Sequence, residues 1–279
     1  MENLIYVLGS KGYLGSNIES FLKDCGYSVE GISSKLTKEN IESFRFKENT
    51  IIINCAGPSA NKCKQSAIAK NYHHYINLKL YELTKSLNIK YIHLGTMHIY
   101  GDHEGIINED SELNGQSNYV KYRKEHELKM CEEKNNNKAI LLRLGNIFGS
   151  YNKKMGDYKN LAINSFIENI IKGEKIEILS DKETFRDYVS IEYLLKLIKF
   201  CIEEDKPPSP INCVSGKSFS ALKIAQIIIK AKYGKFQSEK VFCKYRSSCQ
   251  FRIKNANHLV KNLIGEEDIY EKIEEYTNK

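Results

Sequence analysis

Gly9, Gly12 and Gly15 stand between the apolar run Leu4-Ile5-Tyr6-Val7-Leu8 and a segment whose apolar residues recur three and four positions apart. A strand that must turn at once into a helix needs φ > 0 in the turn, and glycine reaches it without steric penalty. Missing Cβ atoms also let a ligand lie against the backbone, and the following helix offers free N–H groups and the positive end of its dipole to an anion. G-x-x-G-x-x-G in this setting reads as a pyrophosphate cradle formed by Gly9, Lys11, Gly12, Tyr13, Leu14 and Gly15. A dinucleotide is the ligand such a cradle takes.

The next 130 residues repeat the alternation that a cradle of this kind needs. Ser28 to Ile32, Thr50 to Asn54, Tyr91 to Leu94 and Ala139 to Leu144 are β-rich apolar runs, separated by helical patterns at 13–25, 71–87 and 117–134. The pattern predicts an α/β fold, a doubly wound parallel sheet with a smaller mixed C-terminal lobe. Residues 1–150 are expected to form the dinucleotide domain. Residues 151–279 are expected to be mainly a substrate lobe, with segments near 186–216 returning to the first domain. Beyond Gly149, a polar loop (150–159), a helix near 161–172, a strand at 175–179, a turn at 180–182 and a helix near 191–204 make up a less regular order.

Composition narrows the partners. Hydrophobic residues are 41% and charged residues 28% of the 279, an ordinary globular balance. The first apolar run is too short for a leader, and no run approaches the roughly 18 residues of a spanning helix, so a cytoplasmic protein without membrane contact is expected. The net charge of +7 is dispersed, which suits a phosphate-bearing substrate and not nucleic acid. Eight cysteines without a C-x-x-C pair, and histidines without ligand spacing, predict reduced thiols and no metal site.

The second strand ends in Ile32-Ser33-Ser34-Lys35, where an NAD site normally presents an acid to the ribose about 20 residues past the glycines. Without that carboxylate, Ser33, Ser34 and Lys35 are read as donors to a 2′-phosphate, favouring NADP(H) with NAD(H) as the alternative.

Gly9 to Gly15, Asn54-Cys55-Ala56-Gly57, Thr96-Met97-His98-Ile99-Tyr100-Gly101, Tyr119 with its helix, Arg143 to Gly149, Arg186-Asp187-Tyr188-Val189 and Asn212 to Leu222 occur in the order and spacing of one family. Together they resemble the extended short-chain dehydrogenase/reductase family, of the NAD-dependent epimerase/dehydratase type that modifies nucleotide sugars. The resemblance implies that Thr96 and Tyr119 hold the reacting oxygen. A phenol of pKa near 10 then needs a neighbouring cation. The family places Lys four residues after the Tyr; Arg123 stands there in this chain. Helical spacing puts it on the Tyr119 side, but Arg and Lys are not interchangeable, so a changed or lost activity is a live alternative.

The resemblance also implies that Cys55, Ala56 and Gly57 line the cofactor and that Asn77 supports it. It further places His98, Asn146, Asn160 and Arg186 at the substrate, a nucleotide-diphosphate sugar, and suggests a homodimer. Dehydratases of the family carry Asp-Glu directly after the Thr; Met97-His98 stands here, which sets elimination aside. The expected activity is a 4-ketoreductase using NADPH in deoxysugar or surface polysaccharide biosynthesis. Alternatives are a 4-epimerase with tightly held NAD and a catalytically silent dinucleotide-binding protein.

Overall fold

The computed structural model describes residues 4–33, 37, 41–58, 62–64, 66–101, 106–132, 138–151, 161–180, 184–247 and 264–278. The chain divides into two compact units. The first contains Met1–Gly101, Glu112–Leu144 and Leu197–Ile211; the second contains Asp102–Ser111, Gly145–Lys196 and Asn212–Lys279.

The first unit is built on strands β1 (Ile5–Leu8), β2 (Val29–Ile32), β3 (Ile51–Asn54), β4 (Lys90–Thr96) and β5 (Ala139–Leu144), and the edge strand of their sheet, β9 (Ile211–Cys213), belongs to it only at Ile211. Their spatial order is β2-β1-β3-β4-β5-β9, and β1 through β5 run parallel. β1, β3 and β5 are buried along their whole length, as expected of strands covered on both faces. After β1 the chain turns to β2 on one side and then to β3 on the other. This is a topological switch point, where α/β sheets open a crevice at the carboxyl ends of their strands. Gly9, Cys55 and Thr96 stand at or just past those ends.

Helix α1 (Tyr13–Asp24) follows the glycine turn and buries Ile18 and Leu22. Between β3 and β4 lie α2 (Ser66–Ala69), a π-helical stretch at Lys70–Ile76 and α3 (Asn77–Ser86). The sequence periodicity predicts one regular helix over 71–87. The structure instead has a π-helical stretch at Lys70–Ile76, and His73 and Asn77, four residues apart, are both buried with their side-chain nitrogens 3.4 Å apart. Helix α4 (Asn118–Glu132) follows, then α6 (Ile191–Glu203), which belongs to this unit from Leu197 onward. The β4 strand runs two residues beyond the predicted Leu94, through Gly95-Thr96, because its parallel pairing with Arg143 and Leu144 continues where the apolar run has stopped.

The second unit holds β6 (Asn146–Phe148), β8 (Phe185–Ser190) and β10 (Ser218–Ser220) as one small sheet ordered β10-β8-β6. β7 (Ile176–Ser180) and β11 (Val241–Ser247) pair as another. Helices α5 (Ala162–Ile171), α7 (Ala221–Tyr233) and α8 (Ile269–Asn278) pack on one another. The expected polar loop at 150–159 and the turn at 180–182 lie almost wholly outside the described residues.

Candidate active site

The glycine turn is set by backbone against backbone. Gly9 has φ +77°, and a Cβ there would lie 2.9 Å from the Ala56 Cα. The loops after β1 and β3 therefore approach one another only because residue 9 has no side chain. A Cβ on Gly15 would lie 2.2 Å from the Gly9 carbonyl oxygen, the same oxygen that accepts from the Gly12 amide at 2.9 Å. Gly12 caps α1 without a side-chain cap hydrogen bond, and the first-turn amides of a helix, which have no acceptor within the helix itself, are suited to an anion. Lys11 is exposed beside them, while Tyr13 and Leu14 are half-buried. These features fit a dinucleotide pyrophosphate. Ser33 is exposed at the end of β2; Ser34 and Lys35 lie outside the described residues.

On the neighbouring strand Asn54 shapes the second loop. Its Oδ1 accepts from the Ala56 amide at 3.2 Å, and its Nδ2 donates to the Tyr91 hydroxyl at 2.9 Å and to Asn77 Oδ1 at 3.3 Å. Asn77 is fully buried and acts on the loop through Asn54. Cys55 and Ala56 are half-buried and Gly57 is exposed, leaving an open face.

Thr96 is buried at the end of β4, where its Oγ1 accepts from the His98 amide at 3.3 Å and caps the 3₁₀ turn Met97–Tyr100. Half-buried His98 turns its ring edge to the Tyr119 ring, centroids 6.3 Å apart. Tyr119 lies in the first turn of α4, also half-buried. The Arg123 guanidinium carbon lies 4.4 Å from the Tyr119 ring centroid, a cation over a π face. Its far nitrogen is 3.5 Å from where a Cβ on Gly57 would stand. Lys121 lies over the Tyr122 ring instead, and Lys124 is bonded to the Leu113 carbonyl. Neither neighbouring lysine serves Tyr119.

Behind Arg123 sit three histidines that local sequence patterns do not single out. His73, His93 and His126 are all fully buried or within 1% of it. The His93 and His126 rings meet edge to face at 4.5 Å. Burial first, and then the Arg123 charge, pushes His73 down to about 2 and His126 to about 3, and burial above all drives His93 well below its usual range. All three are neutral near pH 7. Glu127 and Arg143 form a buried ion pair at 3.0 Å, and Arg143 also donates to the Tyr100 hydroxyl at 2.6 Å.

The depressed histidines have a thermodynamic consequence. A base whose folded pKa lies below its unfolded value of about 6.5 stabilises the fold fully above that value. That contribution is lost as pH falls toward the folded pKa. His126→Leu is therefore expected to flatten the pH dependence of unfolding free energy by up to about 1.4 kcal/mol per pH unit between about pH 6 and pH 3.5. Denaturant titrations at several pH values measure it. A slope equal to that of the unaltered chain would contradict the assignment.

In the second unit Asn146, the first residue of β6, donates its amide to the Asp187 carbonyl at 3.0 Å and so ties β6 to β8. Arg186 lies half-buried on β8. The Asp187 carboxylate accepts from the Ser215 amide and the Gly216 amide, both at 2.7 Å, and from the Ser215 hydroxyl at 3.1 Å. Burial nevertheless raises its carboxyl to about 7. Asn160 lies outside the described residues. The structure thus brings His98, Tyr119, Arg123 and Gly57 together in the first unit, with Thr96 capping the turn that carries His98, and sets Asn146 and Arg186 in adjacent strands of the second.

The model of the NAD dependent epimerase/dehydratase family matches residues 5–213. No curated protein sequence matches the chain. A dTDP-glucose 4,6-dehydratase from Bacillus anthracis, solved in complex with NAD, is 16% identical, with a TM-score of 0.80 over 99% of this chain and 96% of that one. A UDP-N-acetylglucosamine 4-epimerase from Methanobrevibacter ruminantium, in complex with UDP-N-acetylmuramic acid, is 21% identical, with a TM-score of 0.79 over 99% and 96%. A UDP-glucuronic acid 4-epimerase from Bacillus cereus, with UDP-glucuronic acid and NAD, is 18% identical, with a TM-score of 0.73 over 99% of both chains. These likenesses carry the fold.

They also correct the cofactor. Ser33, Ser34 and Lys35 favoured NADP(H), but the matching family is NAD dependent, and both the dehydratase and the glucuronic acid epimerase hold NAD. The physical flaw is that a missing carboxylate removes repulsion without building a phosphate site, and an exposed serine such as Ser33 serves a ribose hydroxyl equally well. NAD(H) replaces NADP(H).

Proposed function

This chain belongs to the NAD dependent epimerase/dehydratase family of extended short-chain dehydrogenases, and from that premise we propose that it is a 4-epimerase of a nucleoside-diphosphate sugar, keeping its NAD between turnovers. The observation that carries the reading is the half-buried Tyr119 phenol, flanked by His98 of the Thr96 turn and covered by the Arg123 cation next to the open face of Gly57. Two of the similar structures are 4-epimerases of UDP-sugars.

The backbone of Gly9, Gly12, Tyr13, Leu14 and Gly15 would hold the pyrophosphate, with Lys11 beside it, Ser33 at the ribose, and Cys55, Ala56 and Gly57 along the dinucleotide. Asn77 supports that last loop through Asn54. When bound, NAD supplies a reversible acceptor for the hydride on the sugar C4. Tyr119 takes the proton of the 4-hydroxyl and returns it to the same oxygen once the keto sugar has presented its other face. Thr96 donates to that oxygen throughout. Arg123 offsets the negative charge on the phenol oxygen while the proton is away. Hydride and proton both return to the sugar, so no outside reductant is consumed. Met97-His98 offers no Asp-Glu pair for removing a hydroxyl. Asn146 and Arg186 are assigned to the diphosphate of the substrate, a role suited to a planar bidentate donor.

Among the described residues no helix is long and apolar enough to cross a membrane. The reading extends to a cytoplasmic homodimer without a nucleic-acid partner, and light scattering checks the dimer.

Purified protein is expected to release NAD on denaturation at about one per chain and to interconvert C4 epimers of one member of a UDP- and dTDP-sugar panel, followed by proton NMR. Net NADH consumption with a 4-keto sugar would make it a 4-ketoreductase. Coenzyme binding with neither reaction would make it a silent dinucleotide-binding protein. Removing the cation with Arg123→Leu is expected to lower kcat about 10²-fold, with Arg123→Lys retaining most of the activity. Steady-state kinetics of the two variants decide whether the cation or only its bulk matters.

A further inference from the structure

The polar atoms that find no partner in the first unit are not scattered. Arg123 Nε, both ring nitrogens of His126, His93 Nε2 and Glu127 Oε1 are buried with no hydrogen-bond partner among the described residues. Three of the four residues lie on one face of α4, together with Val120 and Met130. The fourth, His93, is on β4, and its ring touches His126 at 4.5 Å. Arg123 is only 7% exposed, and His126 not at all.

Buried N–H groups left unpaired cost about 1–3 kcal/mol each, and native interiors satisfy such groups with protein atoms or ordered water. A lysine at position 123 would need no such arrangement, because its charged head is a single ammonium on an apolar stem. Arginine carries an extra donor, Nε–H, one atom closer to the helix than a lysine ammonium. His126 is one helical turn on, on the same face, and a neutral imidazole offers one acceptor nitrogen and one donor. The three imidazoles around Arg123 are all held neutral, so His126 has that lone pair to give.

We infer that His126, held edge to face against His93, is a positioning residue that fixes the Arg123 guanidinium over Tyr119 through one ordered water between Arg123 Nε–H and a His126 ring nitrogen. The inference deepens the proposed reaction and rests on it for its kinetic arm. The site has adapted to arginine from behind: the imidazole holds the inner end of the side chain, and the outer end lies over the phenol ring and toward Gly57.

Two measurements test it. In nitrogen-15 spectra of the full chain, the Arg123 Nε–H signal, assigned by its loss in Arg123→Lys, is expected to exchange slowly with solvent. His126→Leu should speed that exchange at least about tenfold, and His126→Gln, which keeps an acceptor, should restore most of the protection. This arm needs no substrate, so it stands or falls separately from the epimerase reading. In kinetics, His126→Leu should lower kcat about tenfold with KM unchanged, as loss of orientation does, and His126→Gln should recover most of it. In the Arg123→Lys background, which has no Nε, His126→Leu should leave kcat unaltered. Equal losses in both backgrounds, or Nε–H exchange indifferent to His126→Leu, would overturn the inference.

Discussion

Tyr119→Phe is expected to lower kcat for the C4 interconversion by about 10²–10⁴-fold, the usual worth of a positioned general acid and base, while NAD content and Tm stay close to those of the unaltered chain. The phenol ring, not its oxygen, makes the packing contacts seen here: the Arg123 cation lies over its face, and the His73 and His98 rings meet it edge to face at 6.4 and 6.3 Å. Phenylalanine keeps that face and those edges. What it loses is the one atom that can move the proton of the 4-hydroxyl. The cradle glycines stand at the end of β1 and owe nothing to the phenol oxygen. The measurements are single-turnover kinetics, cofactor release on denaturation and a thermal melt. A variant that keeps more than a tenth of the activity would remove Tyr119 from its role. One that loses its NAD together with activity would show a structural part for the hydroxyl.

The parts of the site that were legible in the sequence are those whose physics is local. A glycine turn between strand and helix declares itself within seven residues, and the apolar runs of β1, β3 and β5 stand out because parallel strands are buried on both faces. Arg123 could be placed beside Tyr119 from helical spacing alone, and the structure has it over the ring. What escaped is what depends on tertiary surroundings. The buried face of α4 includes Arg123, His126 and Glu127, residues that a hydropathy pattern assigns to solvent. Their burial depends on the neutral imidazole of His93 and on Arg143, one from each of two paired strands. The spacing of His73 and Asn77, four residues apart, puts them on one helix face from sequence alone, but two polar residues do not announce that this face is the buried one, and the π-helical turn at Lys70–Ile76 leaves no mark in the apolar spacing. Short strands such as Asn146–Phe148 and Ser218–Ser220 are three residues long, and their apolar signal is too brief to separate from loop. The NADP(H) expectation failed for a related reason. It inferred a phosphate site from the absence of a repelling group, whereas a site requires donors held in place.

Gly15→Ala tests the cradle on which all of the chemistry depends. A methyl at residue 15 would lie 2.2 Å from the Gly9 carbonyl oxygen, 2.8 Å from the Gly9 carbonyl carbon and 3.0 Å from the Ser10 Cα. These are backbone atoms of the turn itself, so no rotamer change relieves the overlap. The Gly9 oxygen is also the acceptor for the Gly12 amide; pushing it outward opens the turn and swings the first α1 amides off the pyrophosphate. The expected result is a loss of NAD affinity of about 100-fold or more, alongside a destabilisation of about 1–3 kcal/mol for the overpacked turn. Stability and binding separate by comparison with Gly26→Ala. Gly26 also has positive φ, +88°, but no atom lies within 4 Å of its added Cβ. That variant should lose about 1 kcal/mol through backbone strain alone and bind NAD as before. Calorimetric titration with NAD, after removal of any bound coenzyme, compares the two. If Gly15→Ala binds NAD as tightly as Gly26→Ala, the first helix turn is not the pyrophosphate site. Tyr119 would then have no hydride acceptor placed beside it by this turn.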